Sequence, residues 1–354
     1  VSGTLKLIAR DGQTAIVKAD STSAKQPITQ LKPRHYDVVA DGPAKYLKVK
    51  SQVLDNLSSG QKSGSAGIQV ENEPGNADVY FQLYHDIKSD HVILPSLSDV
   101  AIKINKKITA AEQLNTQQLG DMVLTDPAIA AKLIKLSCAS GNHTELEDIN
   151  QAINRLGLHK VTDVVRVLTV KDVFKPVNEI QNQLVKEVWQ ESILVSAIAS
   201  TLSEESGQLD PKKAQLIGLV HNVGSILILD SLDKDKNVIG DSTQLRAVLN
   251  ELGSNISAML LDKWGFPESF ISAAKDSQQW RRANDNKSLD YCDLIILAKL
   301  LSYVGTPKFE NMPLLTELPI YRKIKWQKNH VTQGLQILNR ARQKIQTLLQ
   351  VFDE

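Results

Sequence analysis

The sequence has only two cysteines, Cys138 and Cys292, far apart and with no second ligand spaced for zinc. That excludes a disulfide framework, and both read as small buried apolar residues of a reducing compartment. Net charge is also missing. Lys and Arg total 41 against 40 for Asp and Glu, so no global field recruits nucleic acid or an anionic membrane. No uninterrupted apolar run approaches the roughly 18–20 residues a membrane span needs. The chain opens on Val1-Ser2-Gly3-Thr4 with no basic-then-apolar leader, and a start at Val suggests numbering inside a longer product. These absences leave a cytoplasmic protein as the expectation, long enough for two or three domains and a sizeable core.

What is there changes pattern along the chain. Leu5, Leu7 and Ala9 alternate with Lys6, Ile8 and Arg10; Asp11-Gly12 gives a hairpin turn signal before Ala15-Ile16-Val17. A second extended stretch, Tyr36 to Ala40, leads through Asp41-Gly42-Pro43 to Tyr46-Leu47-Lys48-Val49, with Val53, Leu54 and Leu57 spaced for a short helix. Residues 1–57 are thus expected to form a small β-rich domain. Ser58 to Gly67 cannot bury apolar surface, and residues 58–90 are assigned to a flexible linker, clearest over 58–78.

From Leu94 the period turns helical. Asp126-Pro127 places a capping side chain before a first-position proline, and Ile129, Leu133, Ile134 and Leu136 follow on one side. Ile149, Ile153 and Leu156 recur before Gly157, a stop signal. Val188-Trp189, Leu194, Ile198 and Leu202 mark another amphipathic helix, and Ile226-Leu227-Ile228-Leu229 is too apolar for a surface helix. The pattern predicts roughly ten to twelve helices after Leu94 and no strand among them.

The most telling stretch is Ala214-Gln215-Leu216-Ile217-Gly218-Leu219-Val220-His221-Asn222-Val223-Gly224. It resembles the "A-x-x-x-G-L-x-H-D-x-G" signature of metal-dependent HD phosphohydrolases, with Asn222 in place of the aspartate. Four further fragments, in order, resemble HDOD domains, the output-type relatives of those enzymes. Leu94-Pro95-Ser96-Leu97 is similar to "L-P-x-L", and Asp126-Pro127-Ala128-Ile129-Ala130-Ala131-Lys132-Leu133 to "D-P-x-L-A-x-x-L". Ile149 to Gly157 is similar to "I-x-x-A-I-x-x-L-G", and Lys263-Trp264-Gly265-Phe266-Pro267-Glu268 to "x-W-G-L-P-E". The resemblance implies a mainly α fold: a multi-helical HD-like (HDOD) bundle over 91–305, preceded by a small β-rich partial jelly roll.

The resemblance also says where metal ligands belong, and most are missing. The position two residues after Trp189 often carries histidine in the enzymes; here it is Glu191. Asn222 offers a neutral carbonyl oxygen and cannot replace a carboxylate's charge. The downstream helix reads Gly253-Ser254-Asn255-Ile256 and later Lys275-Asp276-Ser277, without histidine. A lone imidazole would hold a divalent ion weakly, and without metal there is no hydroxide nucleophile at neutral pH. His221 reads first as a buried histidine bonded to a carbonyl or to Asn222. The functional alternative is a vestigial pocket of Glu191, His221, Asn222 and Asp276, shallow and polar. His85-Asp86, with Asp90-His91 after it, lacks apolar flanks and reads as a linker or first-helix surface.

Leu5 to Leu57 resembles the second half of a cyclic-nucleotide-binding jelly roll. Ser2-Gly3-Thr4-Leu5-Lys6-Leu7 is similar to its "x-G-x-L-x-L" strand, and Tyr46-Leu47-Lys48-Val49 to its last strand. Lys32-Pro33-Arg34 stands where the phosphate cassette ends in "P-R-[ST]-A". In true binders that arginine forks onto the cyclic phosphate, which makes Arg34 the one cofactor-binding candidate. The earlier Gly-Glu is absent from Ser21-Thr22-Ser23-Ala24-Lys25, and His35-Tyr36 replaces the small pair after the arginine. The fragment is therefore read as degenerate, with Arg34 at the surface or in an ion pair.

Between Leu318 and Phe352 there is no Asp or Glu, yet Arg322, Lys323, Lys325, Lys328, Arg340, Arg342 and Lys344 all fall there. Val331, Leu335, Leu338, Ile345, Leu348 and Leu349 keep helical spacing, so residues 306–354 are expected to end in a basic amphipathic helix. Its charged face is either solvated or makes a weak, non-specific contact with nucleic acid, anionic lipid or an acidic partner. Tyr321 and Trp326 could add stacking. Together these features point to a non-catalytic signal-transduction module that works through a protein partner or small ligand, with no cofactor and no resident metal. The alternative is a divergent metal-dependent phosphohydrolase of a nucleotide or cyclic dinucleotide, using His221, Glu191 and Asp276.

Overall fold

The computed structural model describes residues 4–9, 14–18, 36–40, 42, 74–110, 114–139, 148–232, 242–282, 288–324 and 330–350. The chain divides into two units, residues 1–69 and 70–354. In the first, β1 (Thr4–Ala9), β2 (Thr14–Lys18) and β3 (Tyr36–Ala40) form one antiparallel sheet in the order β2-β1-β3. Leu7 stands opposite Ala15 on one side and Val38 on the other. The alternation and the Asp11-Gly12 turn signal account for this pairing. A jelly roll needs a second sheet packed on the first, and among the described residues a single three-stranded sheet gives the jelly-roll expectation no support. Arg34, the short helix expected at Val53–Leu57 and the stretch Ser58–Gly67 lie outside the described residues.

The second unit is mainly helical among the described residues. Its first helix, α1 (Pro74–Lys88), occupies part of the expected 58–90 linker, and this is a correction. Tyr80, Leu83 and Ile87 are buried on it, three and four residues apart on one helical face. His85 and Asp86 lie on its solvent side, 3.9 Å apart, with the His85 side chain 82% exposed.

α2 (Ser98–Ala110) follows, and Asn115 opens α3 (Thr116–Val123) with a capping box shared with Gln118. Asp126 caps α4 (Pro127–Ala139) as its sequence foretold: its Oδ1 accepts from the amides of Ala128 (2.8 Å) and Ile129 (3.0 Å). Burial pushes the Asp126 carboxyl up to about 6 against those same bonds. Asp148 caps α5 (Ile149–Leu156), and Gly157 at φ 88° turns the chain into α6 (Leu158–Lys171). Ser96 bridges Val173, the one strand-like pairing among the described residues of this unit.

The centre is α7 (Glu179–Ser206), 28 residues long and about 42 Å at the helical rise. α8 (Pro211–Val220) lies close against it because Gly218 has no side chain: a Cβ there would come 2.7 Å from Ser196 Cα. α9 (Val223–Ser231) packs in the same way on α10 (Ser242–Lys263), and α11 (Glu268–Asp276) follows. α12 (Tyr291–Ser302) is buried from Cys292 to Ser302, and it packs on α7, α8 and α11. By length and composition Pro211–Ser231 could cross a membrane, which the search for one uninterrupted run missed; it is broken at His221-Asn222 and 89% buried. Cys292 is buried but Cys138 is only partly covered, contrary to expectation, and neither is bonded to the other.

Three short 3₁₀ turns (Pro307–Asn311, Leu315–Glu317 and Pro319–Arg322) lead to the last helix, α13 (His330–Gln350). α13 lies on α7 with Ile337, Leu338 and Ala341 inward. Arg340 pairs with Glu204 (3.1 Å) and Glu205, and Lys344 reaches Glu204 at 2.7 Å. Part of the basic face is thus neutralised within the chain.

Candidate functional site

The helical path breaks between α8 and α9, and the break presents His221 and Asn222. Asn222 leaves helical geometry at φ −117° and ψ 21°. Its Oδ1 accepts from Ser225 Oγ at 2.6 Å, so the oxygen that stands for the missing carboxylate is spent inside its own turn. The next amide, Gly224 N–H, donates to Ser257 Oγ (2.8 Å), which donates in turn to the Gly253 carbonyl (2.8 Å). This relay fastens the break to α10.

His221 is 1% exposed, and its Nδ1 lies 2.7 Å from the Gly218 carbonyl. A carbonyl only accepts, so the ring proton is on Nδ1 and Nε2 carries the lone pair. That nitrogen is buried and has no hydrogen-bond partner among the described residues. Burial, and then Lys299, lower the imidazole pKa to about 4; Glu191 and the Gly218 carbonyl oppose this without reversing it. His221 is neutral at physiological pH and is held in the tautomer used by metal-binding histidines.

Glu191, on α7, has both oxygens committed. Oε1 accepts from Tyr303 Oη at 3.1 Å and pairs with Lys299 Nζ at 3.5 Å; Oε2 accepts from Lys308 Nζ at 3.0 Å. Burial alone would raise its pKa, but Lys299, Lys308 and His221 outweigh burial and draw it down to about 2. Lys299 is an ammonium inside the apolar run Leu294–Leu301 of α12, with its side chain 3% exposed. Burial lowers its pKa, with Glu191 holding against the fall. Tyr303 is pushed upward by burial and by the adjacent carboxylate.

The residues present do not fit a divalent metal. Such an ion needs several anionic or imidazole donors converging on one point. Among the described residues no group of three or more His, Cys, Asp or Glu is placed to hold one. One unpartnered imidazole nitrogen remains, and the carboxylate of Glu191 is already paired with the Lys299 ammonium.

Asp276 is not joined to this cluster by any described contact. It ends α11, and its Oδ2 pairs with Arg282 Nε at 3.5 Å while Oδ1 accepts from Gln279 Nε2 at 2.9 Å. Arg282 also forks onto Asp290 (2.9 Å) and Asp293 (3.0 Å), and Lys323 reaches Asp293 at 2.7 Å. A cleft of about 700 Å³ beside it is lined by Gln279, Trp280, Arg281, Arg282, Asn311, Met312 and Pro313. Gln279 and Arg282, the partners of Asp276, stand in the wall of this cleft. Trp280 meets Tyr303 edge-on at 6.3 Å, which connects the cleft wall to Glu191.

Sequence reasoning missed Lys299, Tyr303 and Lys308. Lys299 did carry a signal: one cation in an otherwise apolar helix has to find a buried partner. Tyr303 and Lys308 carried none, because only the fold brings them across to α7.

The family description of the HDOD domain matches residues 94–280. The MmoQ response regulator of Methylococcus capsulatus str. Bath has a similar structure (TM-score 0.56), with 21% identity over 69% of this chain and 98% of that one. A virulence factor from Campylobacter jejuni subsp. jejuni gives a TM-score of 0.48, with 20% identity over 72% of this chain and 99% of its own. At 21% identity the likeness to MmoQ is one of fold. No curated protein sequence matches the chain.

Proposed function

This chain belongs to the HDOD family, and we propose that it is a non-catalytic signal-transduction module of the cytoplasm which acts by binding a protein partner or a small ligand. The observation that carries the reading is the fate of Glu191: both of its oxygens are held by chain donors, beside an imidazole with no second anionic ligand. A hydrolase of this kind activates water on a metal, and this donor set offers no place to do so. A protein of the same fold, MmoQ, is named a response regulator, which fits such a role. Signalling would then run through arrangements of the two units, with a ligand or partner favouring one of them.

The test is metal analysis of the purified full chain with a phosphodiesterase assay. Iron, manganese, zinc and nickel are expected far below one ion per chain, with no turnover of cyclic dinucleotides. Near-stoichiometric metal, lost together with phosphodiesterase activity in His221→Ala, overturns the reading in favour of the phosphohydrolase alternative.

The β unit is proposed as the input half, with its nucleotide site degenerate. Titrating cAMP or cGMP into the full chain is expected to leave the Tm unchanged, since only a ligand that binds the folded state raises it. A rise that Arg34→Ala abolishes refutes this. Any contact of the basic α13 with an anionic partner is proposed to be weak and non-specific, since Arg340 and Lys344 are already paired with Glu204 and Glu205.

A further inference from the structure

A buried ammonium is rare unless something holds it, and Lys299 is held at the point where this fold would otherwise gather ligands around an ion. Its Nζ lies 3.5 Å from Glu191 Oε1. His221 is close enough for Lys299 to act on its imidazole electrostatically, and its Nε2 has no hydrogen-bond partner among the described residues. A carboxylate and an imidazole near one positive centre are the kinds of group that begin a metal shell, except that here the positive centre is tethered to α12. A divalent ion entering here would meet a fixed ammonium of the same sign at close range.

We propose that Lys299 is an internal cation, which takes the electrostatic place of a divalent ion between Glu191 and His221 and frees the helical unit from any dependence on metal. The proposal rests on the non-catalytic reading of the site and deepens it: the metal is replaced by a side chain, not merely lost. Lys308 and Tyr303 add one further donor to each oxygen of Glu191. An ordinary structural ion pair would need only the carboxylate. An internal cation makes a stronger demand: reversing its charge should turn the same pocket into a metal site, with Glu191, the introduced carboxylate and His221 Nε2 as three donors.

The experiment uses the full chain and its Lys299→Glu variant, unfolded thermally in EDTA and in rising Mn²⁺ or Zn²⁺. The wild type is expected to show the same Tm in both. The variant is expected to melt lower in EDTA and to gain roughly 5–10 °C with metal at about a hundredfold above its Kd. Adding His221→Ala to the variant should abolish that gain. Lys299→Gln, which removes the cation without adding a charge, is measured beside it and should show a smaller rise from the two remaining donors. If Lys299→Glu does not fold, Lys299→Gln decides: a metal-dependent rise supports the proposal and its absence overturns it. A folded Lys299→Glu with no more response than wild type also overturns it, while leaving the non-catalytic reading intact. Stoichiometric metal on the wild type overturns both.

Discussion

Glu191→Ala is expected to destabilise the helical unit by about 3–5 kcal/mol, a large share of the total stability of an ordinary domain. The loss does not measure what the ion pair contributes. It measures what Lys299 costs when left buried and unpaired in α12, with Tyr303 Oη also without its acceptor. Removing both charges tells the two apart. Glu191→Gln with Lys299→Met should recover most of the loss, because a buried pair replaced by neutral groups of similar volume is often no less stable. Urea unfolding of the two single variants and the double variant measures the coupling, and a loss below about 1 kcal/mol for Glu191→Ala contradicts the geometry described.

The same residue predicts a pH signature. Glu191 ionises near 2 when folded and near 4.5 ordinarily, so the stability it contributes is present above 4.5 and is lost as pH falls toward 2. His221 acts in the same direction over a higher window: its folded value near 4 lies below the ordinary 6.5, so its contribution is complete above 6.5 and lost as pH falls through 4. Asp126 opposes them, since its raised value near 6 stabilises the protonated form below 3.8 and that contribution fades as pH rises through 6. In Glu191→Ala the acid slope below pH 4.5 should flatten while the His221 window persists.

The sequence made local features legible and left distant ones hidden. Asp126-Pro127 and Gly157 act through bonds within four residues, so their residue types alone announce a cap and a stop. The bond from His221 to Gly218 is equally local, whereas the helix break after His221 was not announced and is fastened through Ser257 on α10. α1 was read as linker because its apolar positions, Tyr80, Leu83 and Ile87, are few and its flanks polar; its burial comes from α10, more than 150 residues later. The grouping of Asp276 with Glu191 came from the family pattern, but Arg282, six residues on, commits that carboxylate elsewhere. The cation that completes the site was missed because a reading guided by metal ligands looks for lone pairs, and Lys299 has none to give when charged.

Gly224→Ala is expected to be the most damaging small substitution in the bundle, and the reason lies in what a single methyl would strike. A Cβ at Gly224 would stand 2.3 Å from Ser257 N and 2.7 Å from the Gly253 carbonyl, both backbone atoms of α10. Neither can rotate away, so α9 and α10 must part, and the bond from Gly224 N–H to Ser257 Oγ breaks with them. Overpacking of this kind costs about 1–3 kcal/mol or more, and loss of the buried amide's partner adds about 1–3 kcal/mol. Gly253→Ala, across the same contact, is the internal control. Its Cβ would meet Ser225 Oγ at 2.6 Å, a hydroxyl that can swing aside at the expense of its bond to Asn222. Gly224→Ala should therefore exceed Gly253→Ala in urea unfolding, and it should disturb the His221-Asn222 break directly, since that break is anchored through Gly224. Equal losses in the two variants would mean that α9 can shift without cost, and the close seating of α9 on α10 would then not be what positions His221.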